Sequence, residues 1–435
     1  MIKIVNYKKE KRIINEYFNK RNILNNVLPQ QIKLVEKIIN EVKNKGDKAL
    51  LEFAKKFDKV DLKKLKVSEK DIDLAYDKIE KSDNEFIKSS EIAINNIKRF
   101  HSLSLRNSMF DINSQDVLLG EIVRPIAKAG IYVPGGSAPL ISTLFMNVIP
   151  AQIAGVPEIV IITPPEKNGK INEYILAAAK MLNINQIYIS GGAQAIAALA
   201  YGTETIPKVD KITGPGNIYV TLAKKFVYGI VDIDMLAGPS ELVIIAEDKI
   251  NDRYIAGDLI SQAEHGSGLE TSIAILFSKE KAKKVIEELK IIIDEMPRKK
   301  EILISLKNNG WIIIVNNMKE AIELTNIIAP EHLELLLENP DQYLNEIKNA
   351  GAIFLGEYTP EAIGDYIAGP NHTLPTTGTA RFYSPLSVKD FLKTMNVIKY
   401  NEKAFNEISS SVIKLAEIET LFAHSKSVKI RLNKE

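Results

Sequence analysis

Ile187-Tyr188-Ile189-Ser190-Gly191-Gly192-Ala193-Gln194-Ala195 runs from a short apolar, β-branched stretch through two glycines into a helical pattern. A strand, a tight turn and a helix are written in that order. The same order recurs on both sides. Strands are predicted at Gly130–Val133, Ile159–Ile162, Ile187–Ser190, Val209–Thr213 and Leu242–Ala246, then at Ile273–Phe277, Trp311–Val315 and Ala352–Leu355. A long helix is predicted from about Lys279 to Met296. Alternation of this kind predicts an α/β fold with mainly parallel sheets.

The flanks read differently. Ile32, Val35, Ile39 and Val42 recur at helical steps after Pro29, and Gly46 marks a break. The residues before Pro29 are few and charged, so they are expected to form an arm that packs elsewhere. Beyond Ser384 no further strand is predicted. Ser387 is expected to cap a helix, and a second helix is expected over Glu402–His424, with Phe405, Ile408, Val412 and Leu415 on one face. Such a tail has little to bury against locally, which points to a second subunit.

Composition narrows the chemistry. The 57 basic and 55 acidic residues nearly cancel, so no broad positive field exists for nucleic acid. No cysteine is present, which excludes disulfides, thiolate metal sites and a thiohemiacetal route for aldehyde oxidation. No apolar run is long enough for a membrane span, and Met1–Lys9 does not read as a signal peptide, so a cytoplasmic location is expected.

Four of the five histidines have a Gln, Asp, Glu or Asn close by. In Ser261-Gln262-Ala263-Glu264-His265-Gly266 the glycine reads as a helix terminator, placing Gln262 and His265 on one face of a last turn. They could share a metal, or His265 could simply favour the helix dipole. Gly364-Asp365-Tyr366 and Gly369-Pro370-Asn371-His372 offer a carboxylate and a loop histidine, although all these residue types also build turns. Glu419 and His424 stand near the end of the tail helix. Gln262, His265, Asp365 and His424 together make a nitrogen and oxygen set suited to zinc, without the close spacing of a metal motif. Pro330-Glu331-His332 sets an acid beside an imidazole, as general acid–base chemistry would use, or as a helix start would tolerate. No Gly-x-Gly-x-x-Gly fingerprint occurs. Gly191–Gln194 and Gly214-Pro215-Gly216-Asn217 nevertheless follow strands and precede helices, where free N–H groups hold phosphate, and Tyr132 offers a ring or a hydroxyl.

These fragments, taken in order with Tyr132-Val133-Pro134-Gly135-Gly136 and Ala237-Gly238-Pro239-Ser240-Glu241, closely resemble the histidinol dehydrogenase family over essentially the whole chain. The resemblance implies NAD-dependent, four-electron oxidation of L-histidinol through L-histidinal to L-histidine. It implies zinc on Gln262, His265, Asp365 and His424, acid–base chemistry by Glu331 and His332, and NAD contacts from Tyr132, Gln194 and Asn217. Ser240, His372 and Glu419 match substrate contacts, joined by the zinc ligands and His332. It also implies two incomplete Rossmann-like domains and an intertwined homodimer whose tail completes the neighbour's site.

The expected division is an N-terminal helical arm over 1–28, a first Rossmann-like domain over 29–132 plus 241–383, and a second, on the NAD side, over 133–240. A helical dimerisation tail then covers 384–435. Two other classes fit the residue types less well. A zinc hydrolase would use similar ligands but lacks a His-Glu-x-x-His helix and leaves the βα turns without purpose. A zinc- or imidazole-binding protein would produce no NADH.

Overall fold

The computed structural model describes residues 2–23, 27–135 and 139–432; Gly136 of the motif quoted above lies outside them. The chain divides into two compact units, Met1–Ser104 with Ile126–Phe391, and Leu105–Pro125 with Leu392–Glu435. Among the described residues no helix is long and apolar enough to cross a membrane.

The first unit contains two all-parallel sheets. One has five strands in the order Ile187–Ile189, Glu158–Thr163, Lys128–Tyr132, Lys211–Thr213, Asp232–Ile233. Its first strand in sequence is therefore central, and the chain winds outward to each side, as in a doubly wound nucleotide-binding sheet. The other has six strands in the order Lys3–Asn6, Gly310–Ile314, Thr271–Leu276, Glu241–Ala246, His332–Leu336, Ala352–Leu355. Residues of Thr271–Leu276, Gly310–Ile314 and Glu241–Ala246 are almost wholly buried, which suits a parallel sheet covered on both faces. The strands predicted from sequence lie within two residues of these.

Three expectations change. Residues 3–6 are not an arm but the edge strand of the six-stranded sheet. Helix Tyr7–Asn19 follows, and its Tyr7, Ile14 and Phe18 are buried in that sheet's core with Trp311 and Ile313. The helices of residues 29–53 pack on the five-stranded sheet, not with 241–383. Val35, Ile38, Ile39 and Val42 share a core with Val160, Ile162, Ile196 and Leu199. Strand Lys128–Tyr132 belongs to the same sheet, so the expected boundary at 132/133 moves upstream. Periodicity identified these faces but carried no information about which sheet they would meet.

The second unit is an antiparallel sheet in the order Leu392–Lys399, Leu118–Pro125, Met109–Ile112, together with helices Glu402–Ile418 and Phe422–Arg431. This corrects two readings of the tail. Ser387 precedes only a short 3-10 turn, Val388–Phe391, and a strand follows where a helix was expected. The expected single helix breaks at Thr420, whose φ of 60° is left-handed, and a second helix restarts at Phe422. Glu417 ties the two helices together by accepting from Ser425 Oγ at 2.9 Å and Lys429 Nζ at 2.7 Å. Leu415, Ile418, Phe422 and Ile398 are 63%, 65%, 64% and 70% exposed.

Candidate active site

His332 is the first residue of its strand. Ala329, with φ 49°, and Pro330 turn the chain out of helix Met318–Ile328 and deliver Glu331 and His332 to the amino edge of the six-stranded sheet. Both side chains are buried. A strand starts there, so the reading of Glu331-His332 as a helix start is excluded. Glu241, another first residue, lies on the same edge, where His332 pairs in register with Leu242 and Ala352.

His332 is oriented from behind. Its Nδ1 lies 3.3 Å from the Glu241 carbonyl and 3.3 Å from Glu361 Oε1. A carbonyl can only accept, so Nδ1 carries a proton and Nε2 is the nitrogen through which the ring would take up or give up its second one. Nε2 is buried, has no hydrogen-bond partner and lies 3.6 Å from Asp365 Oδ1. Glu361 and Asp365 share the short helix Glu361–Tyr366 at i, i+4 spacing, which sets both carboxylates towards His332. Glu334 Oε1 accepts from the Glu361 N–H at 2.7 Å and fixes the start of that helix. Glu331 Oε2 accepts from Ser240 Oγ at 2.6 Å and from the Glu241 N–H at 2.9 Å. Glu241 is itself paired with Arg21, which also donates to the Ile328 carbonyl at 2.8 Å.

Burial and charge act together here. Burial pushes the Glu331 carboxyl up to about 7, against the opposing pull of His332 and its hydrogen bonds. Burial likewise lifts Glu361 to about 7, with His332 again opposing. For His332 burial alone would lower the pKa, but Glu361, Glu331 and Asp365 outweigh it and hold it well above the usual histidine value. Negative charge is in excess. The helices Asp252–Ala263, Lys299–Asn309 and Met318–Ile328 also run towards this edge with their carbonyl ends, which adds to a potential that favours a cation.

A cavity of about 600 Å³ opens from this edge, lined in part by His332, Asp365, His372, Phe354 and His101. His372 Nε2 is buried without a partner. His332, Glu361 and Asp365 bring one ligand atom each within 4.8 Å of one another, a spacing that could hold a metal ion. Gln262 is wholly buried, and neither its Oε1 nor its Nε2 has a hydrogen-bond partner. An unanswered buried amide costs about 1–3 kcal/mol, so a ligand is the economical explanation. His265 lies just past the end of helix Asp252–Ala263 rather than inside its last turn, and Gly266 has φ 90°. Its Nδ1 is 3.0 Å from the Gln262 carbonyl, leaving Nε2 for other partners. Glu419 and His424 belong to the second unit, at the helix break and in helix Phe422–Arg431.

The expected cofactor residues converge elsewhere, at the carboxyl edge of the five-stranded sheet. A cavity of about 420 Å³ is lined there by Tyr132, Gln194 and Asn217 with Gly191 and Gly192. The Gly192 N–H donates to the Tyr132 hydroxyl at 3.1 Å, and burial pushes that hydroxyl up to about 12. Asn217 caps helix Ile218–Val227 by accepting from the N–H groups of Tyr219 and Val220.

Glu361, Glu334 and Arg21 were not singled out from the sequence. Glu361 had a legible signal in its i, i+4 spacing to Asp365; Arg21 had none.

The histidinol dehydrogenase family model matches residues 24–432. The chain is 52% identical over 400 residues to the histidinol dehydrogenase of Clostridium acetobutylicum, covering 92% of each chain. It is 50% identical over 420 residues to that of Carboxydothermus hydrogenoformans, covering 96% of this chain and 97% of the relative. The crystal structure of histidinol dehydrogenase from Elizabethkingia anophelis matches with a TM-score of 0.91 at 39% identity, over 99% of this chain and 97% of the other.

Proposed function

The chain belongs to the histidinol dehydrogenase family, and from that premise we propose how its own residues carry out the NAD-dependent oxidation of L-histidinol to L-histidine. The observation that carries the reading is the pair Glu331 and His332, buried side by side, with His332 oriented through Nδ1 so that Nε2 is the nitrogen left to exchange a proton.

We assign zinc to Gln262, His265 and Asp365, with His424 as a fourth ligand. The unanswered amide of Gln262 and the excess of buried carboxylate support that fit. Bound there, zinc would hold the substrate's imidazole and amino nitrogens, and NAD would accept one hydride in each half-reaction. Positioning of that kind can remove on the order of 7 kcal/mol from a barrier. His332 takes the hydroxyl proton in the first half-reaction. Glu331, held by Ser240 and the Glu241 N–H, then draws a proton from water as it adds to the aldehyde, His332 returns its proton to the carbonyl oxygen, and the freed His332 deprotonates the resulting hydrate. Ser240, His372 and Glu419 are assigned to the substrate, and Tyr132, Gln194 and Asn217 to NAD.

We propose further that the enzyme works as a homodimer in which the tail of one subunit, with Glu419 and His424, serves the site of the other. The exposed apolar residues of the second unit support this, since Leu415, Ile418 and Phe422 call for a covering surface. Removing metal with a chelator is expected to abolish NADH formation from L-histidinol, and one zinc per subunit to restore it. Full turnover in protein shown to be metal-free would refute the zinc assignment.

A further inference from the structure

The cavity assigned to NAD contains one acid that the reading above does not use. Asp58 is the only charged residue among those found to line it, where it stands beside Phe57 and near enough to Tyr132 to act on its hydroxyl. Its Oδ2 is buried and has no hydrogen-bond partner. Burial pushes its carboxyl up to about 6. It ends a π-helical turn, Ala54–Asp58, that the left-handed Lys59 terminates.

In doubly wound dinucleotide sites an acid at the end of the second strand accepts from the adenosine ribose hydroxyls. The corresponding strand here, Glu158–Thr163, runs into Pro164-Pro165. The next acid, Glu166, is exposed, accepts from the side-chain amide of Asn172 at 2.8 Å and is not among the residues found to line this cavity. The strand end thus puts no carboxylate among the residues found to line this cavity, while Asp58 presents one from the helical layer packed on the same sheet.

We infer that Asp58 takes that role: its carboxylate accepts from the adenosine ribose hydroxyls of NAD and selects against the 2′-phosphorylated dinucleotide. Two hydroxyl donors would satisfy a carboxylate whose buried Oδ2 has no hydrogen-bond partner among the described residues. A 2′-phosphate would place about two further negative charges against it, with no cation in the lining to offset them. The exposed ring of Phe57 beside it gives the base a surface to lie on. The inference rests on the assignment of this cavity to NAD.

The test is equilibrium binding of NADH and NADPH, followed by fluorescence of the reduced nicotinamide, for wild type, Asp58→Asn, Asp58→Ser and Gln194→Ala. Wild type is expected to prefer NADH strongly. Both Asp58 variants should lose about tenfold or more in NADH affinity, as expected for hydrogen bonds to a charged acceptor, and gain affinity for NADPH. Their melting temperatures should not fall, since a costly buried carboxylate has been removed. An unchanged NADH-to-NADPH ratio in both Asp58 variants, with Gln194→Ala still weakening NADH, would overturn the inference alone. NADH affinity unchanged in every variant would overturn the cavity's assignment and the inference with it.

Discussion

The two parallel sheets of the first unit present opposite edges to their cavities. The five-stranded sheet offers its carboxyl edge, with Tyr132, Pro164, Gly191 and Asn217 at or just beyond the strand ends. The six-stranded sheet offers its amino edge, with His332 and Ala352 as first residues of their strands. Helices begin at the first edge and end at the second. Free N–H groups therefore gather where a dinucleotide phosphate is expected, and free carbonyls gather where a cation is expected. The carboxyl edge follows the general rule for α/β sheets. The amino edge had to be built from buried acids, and its chemistry follows from those acids.

The largest expected effect separates the two ligand sets that the amino edge allows. His332→Ala should lower turnover by about 10²- to 10⁴-fold while zinc content stays at one per subunit. Asp365→Ala should lose zinc and activity together. Metal analysis of both variants checks this. Loss of zinc from His332→Ala would show that His332, Glu361 and Asp365 hold the metal and that His332 is not the base.

A smaller effect tests the division of labour inside the edge. Glu331→Gln should slow the oxidation of supplied L-histidinal by about 10²-fold and spare the first hydride transfer. A base must be ionised, and the Glu331 carboxyl ionises above about 7. The wild-type rate for histidinal should therefore show a rise with pH centred near 7, and the variant should lack that step and keep only the one that belongs to His332. Parallel pH profiles in stopped-flow NADH formation would remove Glu331 from the water-activating role.

The smallest effect contrasts two buried histidines of one cavity. His332 is surrounded by carboxylates and its pKa is raised; His101 meets burial alone, and its pKa is lowered to about 4. Both ring nitrogens of His101 are buried without partners. The native state therefore resists protonation that the unfolded chain accepts below about 6.5. Stability contributed above that value should be lost as pH falls towards 4, by up to about 3 kcal/mol. Chemical denaturation at pH 7.5 and 4.5 should show wild type losing more than His101→Gln. Equal losses would show that His101 titrates normally.

The carboxyl edge was legible in the sequence and the amino edge only partly so. Strand, glycine turn and helix follow one another locally at Ile187–Ala195 and Lys211–Asn217, so the pattern carries its own geometry. Gln262, Glu331, His332 and Asp365 were identifiable as chemical groups, but what joins them is nonlocal. Neighbouring strands set His332 beside Glu241, and only register reveals that. Arg21 reaches Glu241 across 220 positions, a pairing no local pattern announces. The strand Leu392–Lys399 was missed because its partner, Leu118–Pro125, is equally remote and much of the strand is exposed, which weakens the alternation that marks a strand.

On this reading one site oxidises the alcohol and then the aldehyde, with His332 serving both stages and Glu331 the second. The most direct test is the NADH yield, by absorbance, from limiting L-histidinol with excess NAD and zinc-loaded protein. Two NADH for each L-histidinol, with L-histidine as the product, is the predicted result. One NADH, with the aldehyde accumulating, would contradict it.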